Sequence, residues 1–88
     1  MTNNELWTKI KNYEGATFHT VTGLPFTYRF VAEDKIQPIR EGSPKWVVSR
    51  SVIEDAWPLI NGSKTVFNKT VIAPSYVKAI LTDPRIRE

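Results

Sequence analysis

Apolar side chains in the first thirteen residues recur at Leu6, Trp7, Ile10 and Tyr13, with Lys9 and Lys11 between them. Intervals of three and four put the apolar set on one face of a helix. The spacing predicts a helix over 4–13. Asn3 or Asn4 would cap it, because a short amide accepts from the unpaired N–H groups of a first turn. Gly15 would end it, being free to adopt positive φ.

The period then shortens. T-F-H-T-V-T at 17–22 is rich in β-branched residues and too short for a helix, which predicts a strand. Gly23-Leu24-Pro25 is a turn. F-T-Y-R-F-V-A at 26–32 alternates cleanly: Phe26, Tyr28 and Phe30 share one side, Thr27, Arg29 and Val31 the other. That is a strand with one buried face. The three rings are assigned to the core, and Trp7, Trp46 and Trp57 to the core or its rim. After the polar tip Glu33-Asp34-Lys35, I-Q-P-I-R at 36–40 is read as a third strand. Pro38 has no N–H to donate, which places that strand at a sheet edge. Glu41-Gly42-Ser43-Pro44 is a loop, and K-W-V-V-S at 45–49 is a fourth short strand.

Ser51-Val52-Ile53-Glu54 fits a capping box, with Ser51 as cap and Glu54 reaching back to it. A helix from Val52 follows, with Val52, Ile53, Ala56 and Trp57 toward the core, and Pro58 ends or disrupts it. Residues 63–73 show no clear period. Pro74 suits a first helical turn, and S-Y-V-K-A-I-L-T at 75–82 predicts the last helix, stopped at Asp83-Pro84. The expected architecture is a single α+β domain over residues 1–88. It has a small, mainly antiparallel sheet of three or four strands, an N-terminal helix and two C-terminal helices.

Composition removes several kinds of chemistry. The 88 residues include no cysteine, so disulfides, thiolate nucleophiles and thiolate metal ligands are excluded, and a cytoplasmic location is expected. No window approaches a membrane span, and the first fifteen residues lack the apolar run of a signal peptide, so no membrane partner is expected. The lone histidine, His19, falls inside a predicted strand, and no serine sits in a nucleophile elbow. Glu54 and Asp55 are neighbours on a helix and diverge. The four glycines lie apart, at element ends, and form no phosphate-cradling loop. Neither an enzyme nor a cofactor or metal site is expected.

What remains is charge. The net charge is +3 and the pI about 9.4. The excess is uneven. Residues 61–88 carry Lys64, Lys69, Lys78, Arg85 and Arg87 against Asp83 and Glu88, whereas residues 1–34 are slightly acidic. A one-sided basic surface would suit a polyanion. At the strand-to-helix junction, Ser49-Arg50-Ser51 offers two hydroxyls, a forked cation and the amides of a helix start, with Lys45 on the strand that feeds it. Ala73-Pro74-Ser75-Tyr76 is a second helix start. If the two corners are adjacent, they could track a phosphate backbone.

Three stretches carry a resemblance: T-G-L-P-F-T-Y-R-F at 22–30, V-S-R-S at 48–51 and A-P-S-Y-V-K-A-I-L-T-D-P-R-I at 73–86. Together they resemble short uncharacterised bacterial domains of the kind carried on mobile elements, such as integron cassettes. The resemblance implies no activity and assigns no residue, but its context favours nucleic acid. The expected function is therefore a non-enzymatic nucleic-acid-binding domain that contacts phosphates. Its candidate residues are Lys45, Ser49, Arg50, Ser51, Lys64, Lys69, Ser75, Lys78, Arg85 and Arg87. The alternative is a protein-interaction module, for example a homodimer, using an exposed aromatic patch.

Overall fold

The computed structural model describes residues 2–62, Phe67, Val71 and residues 73–87. Helix α1 spans Asn3–Asn12 and buries Leu6, Trp7 and Ile10, the face set by their spacing. Its cap is Thr2 rather than an asparagine, and the Thr2 hydroxyl accepts from the Glu5 N–H at 3.1 Å. Past the helix end, Gly15 takes φ +85° and donates its N–H to the Tyr28 carbonyl, stitching α1 to the sheet.

The sheet is antiparallel throughout its described pairs: β1 (Phe18–His19), β2 (Pro25–Ala32), β3 (Lys35–Arg40), β4 (Ser43–Pro44) and β5 (Val48–Ser49). The strands 1 to 4 neighbour one another in chain order, and β5 pairs with β3 beside β4. The expected α+β class is the one observed, with one more strand than the sequence suggested. The first strand is shorter than 17–22, because Thr20 to Leu24 close into a turn in which the Thr20 N–H binds the Leu24 carbonyl.

Pro38 corrects the expected strand order. β3 lies between β2 on one side and β4 with β5 on the other, so Pro38 sits in an interior strand. The reason is local. Ile39 opposes Pro44 and Ile36 opposes Val48, so Gln37 and Pro38 face the three residues Lys45, Trp46 and Val47. That mismatch is a bulge, and the missing Pro38 donor falls inside it. The ladder survives there through the Lys45 N–H to the Pro38 carbonyl at 2.8 Å and Gln37 Nε2 to the Lys45 carbonyl at 2.9 Å. The bulge also overturns the core assignment of Trp46, which is 70% exposed.

Helix α2 spans Arg50–Ala56 and runs into a 3-10 turn at Trp57–Leu59. Its cap is Ser49, whose hydroxyl accepts from the Val52 N–H, so the Ser51 capping box does not form. Glu54 instead takes the Arg50 side chain. Helix α3 spans Pro74–Thr82, and the chain does not stop there: a short helix, α4 (Pro84–Arg87), follows at once. Residues 63–66, 68–70 and 72 of the unreadable stretch lie outside the described residues.

Helices and sheet enclose one core. Phe18, Phe26, Tyr28 and Ile36 come from the strands, Leu6, Trp7 and Ile10 from α1, and Ile53, Val77, Ile80, Leu81 and Ile86 from the later helices. Phe26 and Tyr28 are buried and Phe30 is half-buried, which settles the aromatic stripe of β2 as core. Burying a large apolar side chain is worth about 1.5–3 kcal/mol, so these rings carry much of the stability of so small a domain.

Candidate functional site

The Ser49-Arg50-Ser51 corner is occupied by its own structure. The Arg50 N–H donates to the Asp34 carbonyl at 2.7 Å. Its guanidinium donates to Glu54 Oε2 at 2.8 Å and to Asn4 Oδ1, and lies 5.8 Å from the centre of the Trp7 ring. The arginine therefore clamps α2 to α1. The Ser49 and Ser51 hydroxyls share a hydrogen bond at 3.0 Å, and Ser49 also caps the helix.

The C-terminal cations are similarly engaged. Arg85 grips both carboxylate oxygens of Asp83 at 3.0 Å and donates to the Thr17 carbonyl at 2.8 Å. These hydrogen bonds hold the Asp83 carboxyl below its ordinary range and raise Arg85. Arg87 donates to Asn61 Oδ1 at 3.2 Å, and Lys78 Nζ lies 5.7 Å from the Phe67 ring centre. Lys64 and Lys69 lie outside the described residues.

The second helix start is different. Ala73 is left-handed (φ +49°, ψ +53°) and provides no side-chain cap for α3. Pro74 has no N–H, and the N–H groups of Tyr76 and Val77 both bind the Ala73 carbonyl at 3.1 Å. The Ser75 N–H thus has no partner among the described residues. In front of it lies a recess of about 170 Å3 lined by Thr20, Thr22, Arg40, Ser75 and Tyr76, with Val21 and Leu24. The 20–24 turn makes a firm wall. The Thr20 hydroxyl accepts from the Leu24 N–H and bonds to the Thr22 hydroxyl, both at 3.1 Å.

Arg40 was missed in the sequence because no motif surrounds it. A signal was present: it shares the parity of Ile36 and Pro38, the buried side of β3, where a cation is out of place. It ends the strand, so its head reaches the rim of the core. It forms no ion pair with a described residue.

The two corners are not adjacent. Ser49 pairs with Lys35 at one end of β3, and Arg40 marks the other end. Five strand steps separate them, roughly 17 Å. The larger groove of about 530 Å3 beside β2 is lined by Lys11, Glu14 and Glu33 with Phe30, Val31 and Ala32, and its two carboxylates against one cation suit a polyanion poorly. His19 is exposed on β1, and no group of metal-ligating side chains forms among the described residues. No helix among the described residues is long and apolar enough to cross a membrane.

Compared with protein families, with curated proteins and with solved structures, the chain finds no match.

Proposed function

We propose that this chain binds nucleic acid through backbone phosphates, with the recess between the 20–24 turn, the end of β3 and the start of α3 as the phosphate site. One observation carries the reading. Arg40, uncommitted to any described carboxylate, lines the same recess as Ser75, whose N–H has no partner among the described residues. A guanidinium fork matches a phosphate, and a helix start adds oriented N–H groups and a partial positive charge. Lys45, two residues beyond the Ser43 that opposes Arg40, adds a cation at the same end of the sheet. Of the ten residues the sequence nominated, Ser75 lines this recess, while Arg50, Arg85 and Arg87 serve as internal ties. The mobile-element context implied by the resemblance contributes no residue to it.

The test is binding of labelled oligonucleotides at two salt concentrations. Arg40→Ala should weaken binding about tenfold and lower the slope of log affinity against log salt by about one. Ser75→Ala should cost a few-fold, and Arg50→Ala nothing. An Arg40→Ala protein with unchanged affinity and unchanged slope would sink the recess as the contact.

A further inference from the structure

The side of the sheet turned away from the helices has its own chemistry. Along β2 and β3 its positions are Thr27, Arg29, Val31, Lys35, Gln37 and Ile39, two cations and no carboxylate. Neither Arg29 nor Lys35 forms an ion pair with a described residue. Glu33, Asp34 and Glu41 lie in the turns at the two ends of β3, and Glu14 reaches the outer edge of β2, where its carboxylate accepts from the Phe30 N–H. Beside this face the bulge opposite Gln37 and Pro38 pushes out Trp46, 70% exposed, and Val47, 48% exposed. A bare indole is costly to leave in water, and here it stands, with exposed Val47 beside it, at the edge of a sheet face that carries Arg29 and Lys35. That combination, a flat ring with positive charge along a groove or face, is how single strands are held. Bases stack on the ring and phosphates meet the cations.

We infer that Trp46 is a base-stacking platform and that the ligand of this domain is single-stranded nucleic acid, with Arg29 and Lys35 following its backbone across the open sheet. The inference rests on the phosphate reading above and narrows it. Arg40 opposes Ser43, and Trp46 comes three residues after Ser43, about 10 Å of strand. Arg40 belongs to the helix side of the sheet, so a strand seated on Trp46 meets its recess by passing over the Ser43 end of the sheet. A duplex keeps its bases stacked on each other and gains nothing from the indole.

The experiment compares a short labelled oligothymidylate with a labelled blunt duplex of the same length, each titrated with the wild type, Trp46→Ala, Trp46→Phe and Arg40→Ala. Trp46 is exposed, so its replacement leaves the core intact, and circular dichroism checks this. The expected result is tighter wild-type binding to the single strand, lost roughly tenfold or more in Trp46→Ala and largely kept in Trp46→Phe, with the duplex unaffected. Intrinsic fluorescence should be quenched by the single strand in the wild type and far less in Trp46→Phe, since Trp7 is buried and Trp57 is partly buried against the core. If Trp46→Ala leaves single-strand binding unchanged, or weakens both ligands alike, the stacking role is wrong while the phosphate reading survives through Arg40→Ala. If neither oligonucleotide binds, both fail. Sedimentation would then show whether Trp46 serves a second copy of the chain, as a wild-type dimer made monomeric by Trp46→Ala.

Discussion

The Arg85 guanidinium carbon lies 4.3 Å from the centre of the Phe18 ring, and the same group bonds Asp83 with two nitrogens and the Thr17 carbonyl with one of them. A fully buried ring on β1 thus has a paired arginine from α4 as its cover. The Tyr13 ring, 5.7 Å away, extends the stack to the end of α1. One side chain joins the N-terminal helix, the first strand and the last helix.

Replacing that arginine tests its structural role. Arg85→Ala should lower stability by about 1–2 kcal/mol, the range of a partly shielded cation–π contact with its hydrogen bonds. Arg85→Lys should recover only part, because an ammonium cannot grip both carboxylate oxygens and lie flat on a ring. Urea unfolding checks both. Oligonucleotide affinity of the folded variants should stay at the wild-type value.

Arg50 yields a parallel expectation with a smaller magnitude. Its ion pair with Glu54 is partly exposed, so the pair itself is worth a few tenths of a kcal/mol. The bond to Asn4 and the Trp7 contact bring the total to about 1 kcal/mol. Arg50→Ala should shift the urea midpoint accordingly, and the Asn4→Ala, Arg50→Ala double variant should lose less than the sum of the two single losses.

How far these features could be read in advance depended on whether their causes were local. The apolar faces of α1 and β2 were legible because each is set by its own spacing, and they gave the α+β class and most of the core. The cap of α2 was not. Ser49 and Ser51 are equally good caps two residues apart, and the choice falls to Ser49 because β5 pairs it with Lys35 while the Arg50 N–H is taken by Asp34. The exposure of Trp46 was hidden for the same reason, since it follows from one extra residue opposite Pro38. A run of cations in the sequence also says nothing about which of them the fold will use. Arg50, Arg85 and Arg87 are used internally, whereas Arg40, unremarkable in sequence, faces the recess.

Tyr28 sets the alkaline limit of the fold. Its side chain is buried and its hydroxyl donates to the Ile10 carbonyl at 2.6 Å. Burial, the largest influence, pushes its ionisation well above the ordinary 10.0. The folded state therefore holds the proton after the unfolded chain has released it. Stability from this group is complete below pH 10 and falls as pH rises beyond it. Of the three tyrosines, Tyr28 should form phenolate only when the protein unfolds, seen as a late absorbance step coincident with loss of circular dichroism. Tyr28→Phe should remove that step and cost about 1–2 kcal/mol at neutral pH through the lost hydrogen bond.

The turn between β3 and β4 offers a gain rather than a loss. Arg40 opposes Ser43, so Glu41 and Gly42 form a two-residue hairpin loop, with φ of +53° and +76°. Positive φ at both positions is the mirror-image type I turn, whose twist matches antiparallel strands. Gly42 adopts it without strain, but a glutamate is crowded there, whereas asparagine tolerates the left-handed region. Glu41→Asn should therefore raise stability by about 0.5–1 kcal/mol, read as a higher urea midpoint at unchanged m. The same change removes a carboxylate from the Arg40 end of the sheet. If the recess and the open face bind phosphates, this variant should also bind oligothymidylate more tightly at low salt, by a margin that shrinks as salt screens it. A more stable protein with unchanged low-salt affinity would separate the turn from the binding surface.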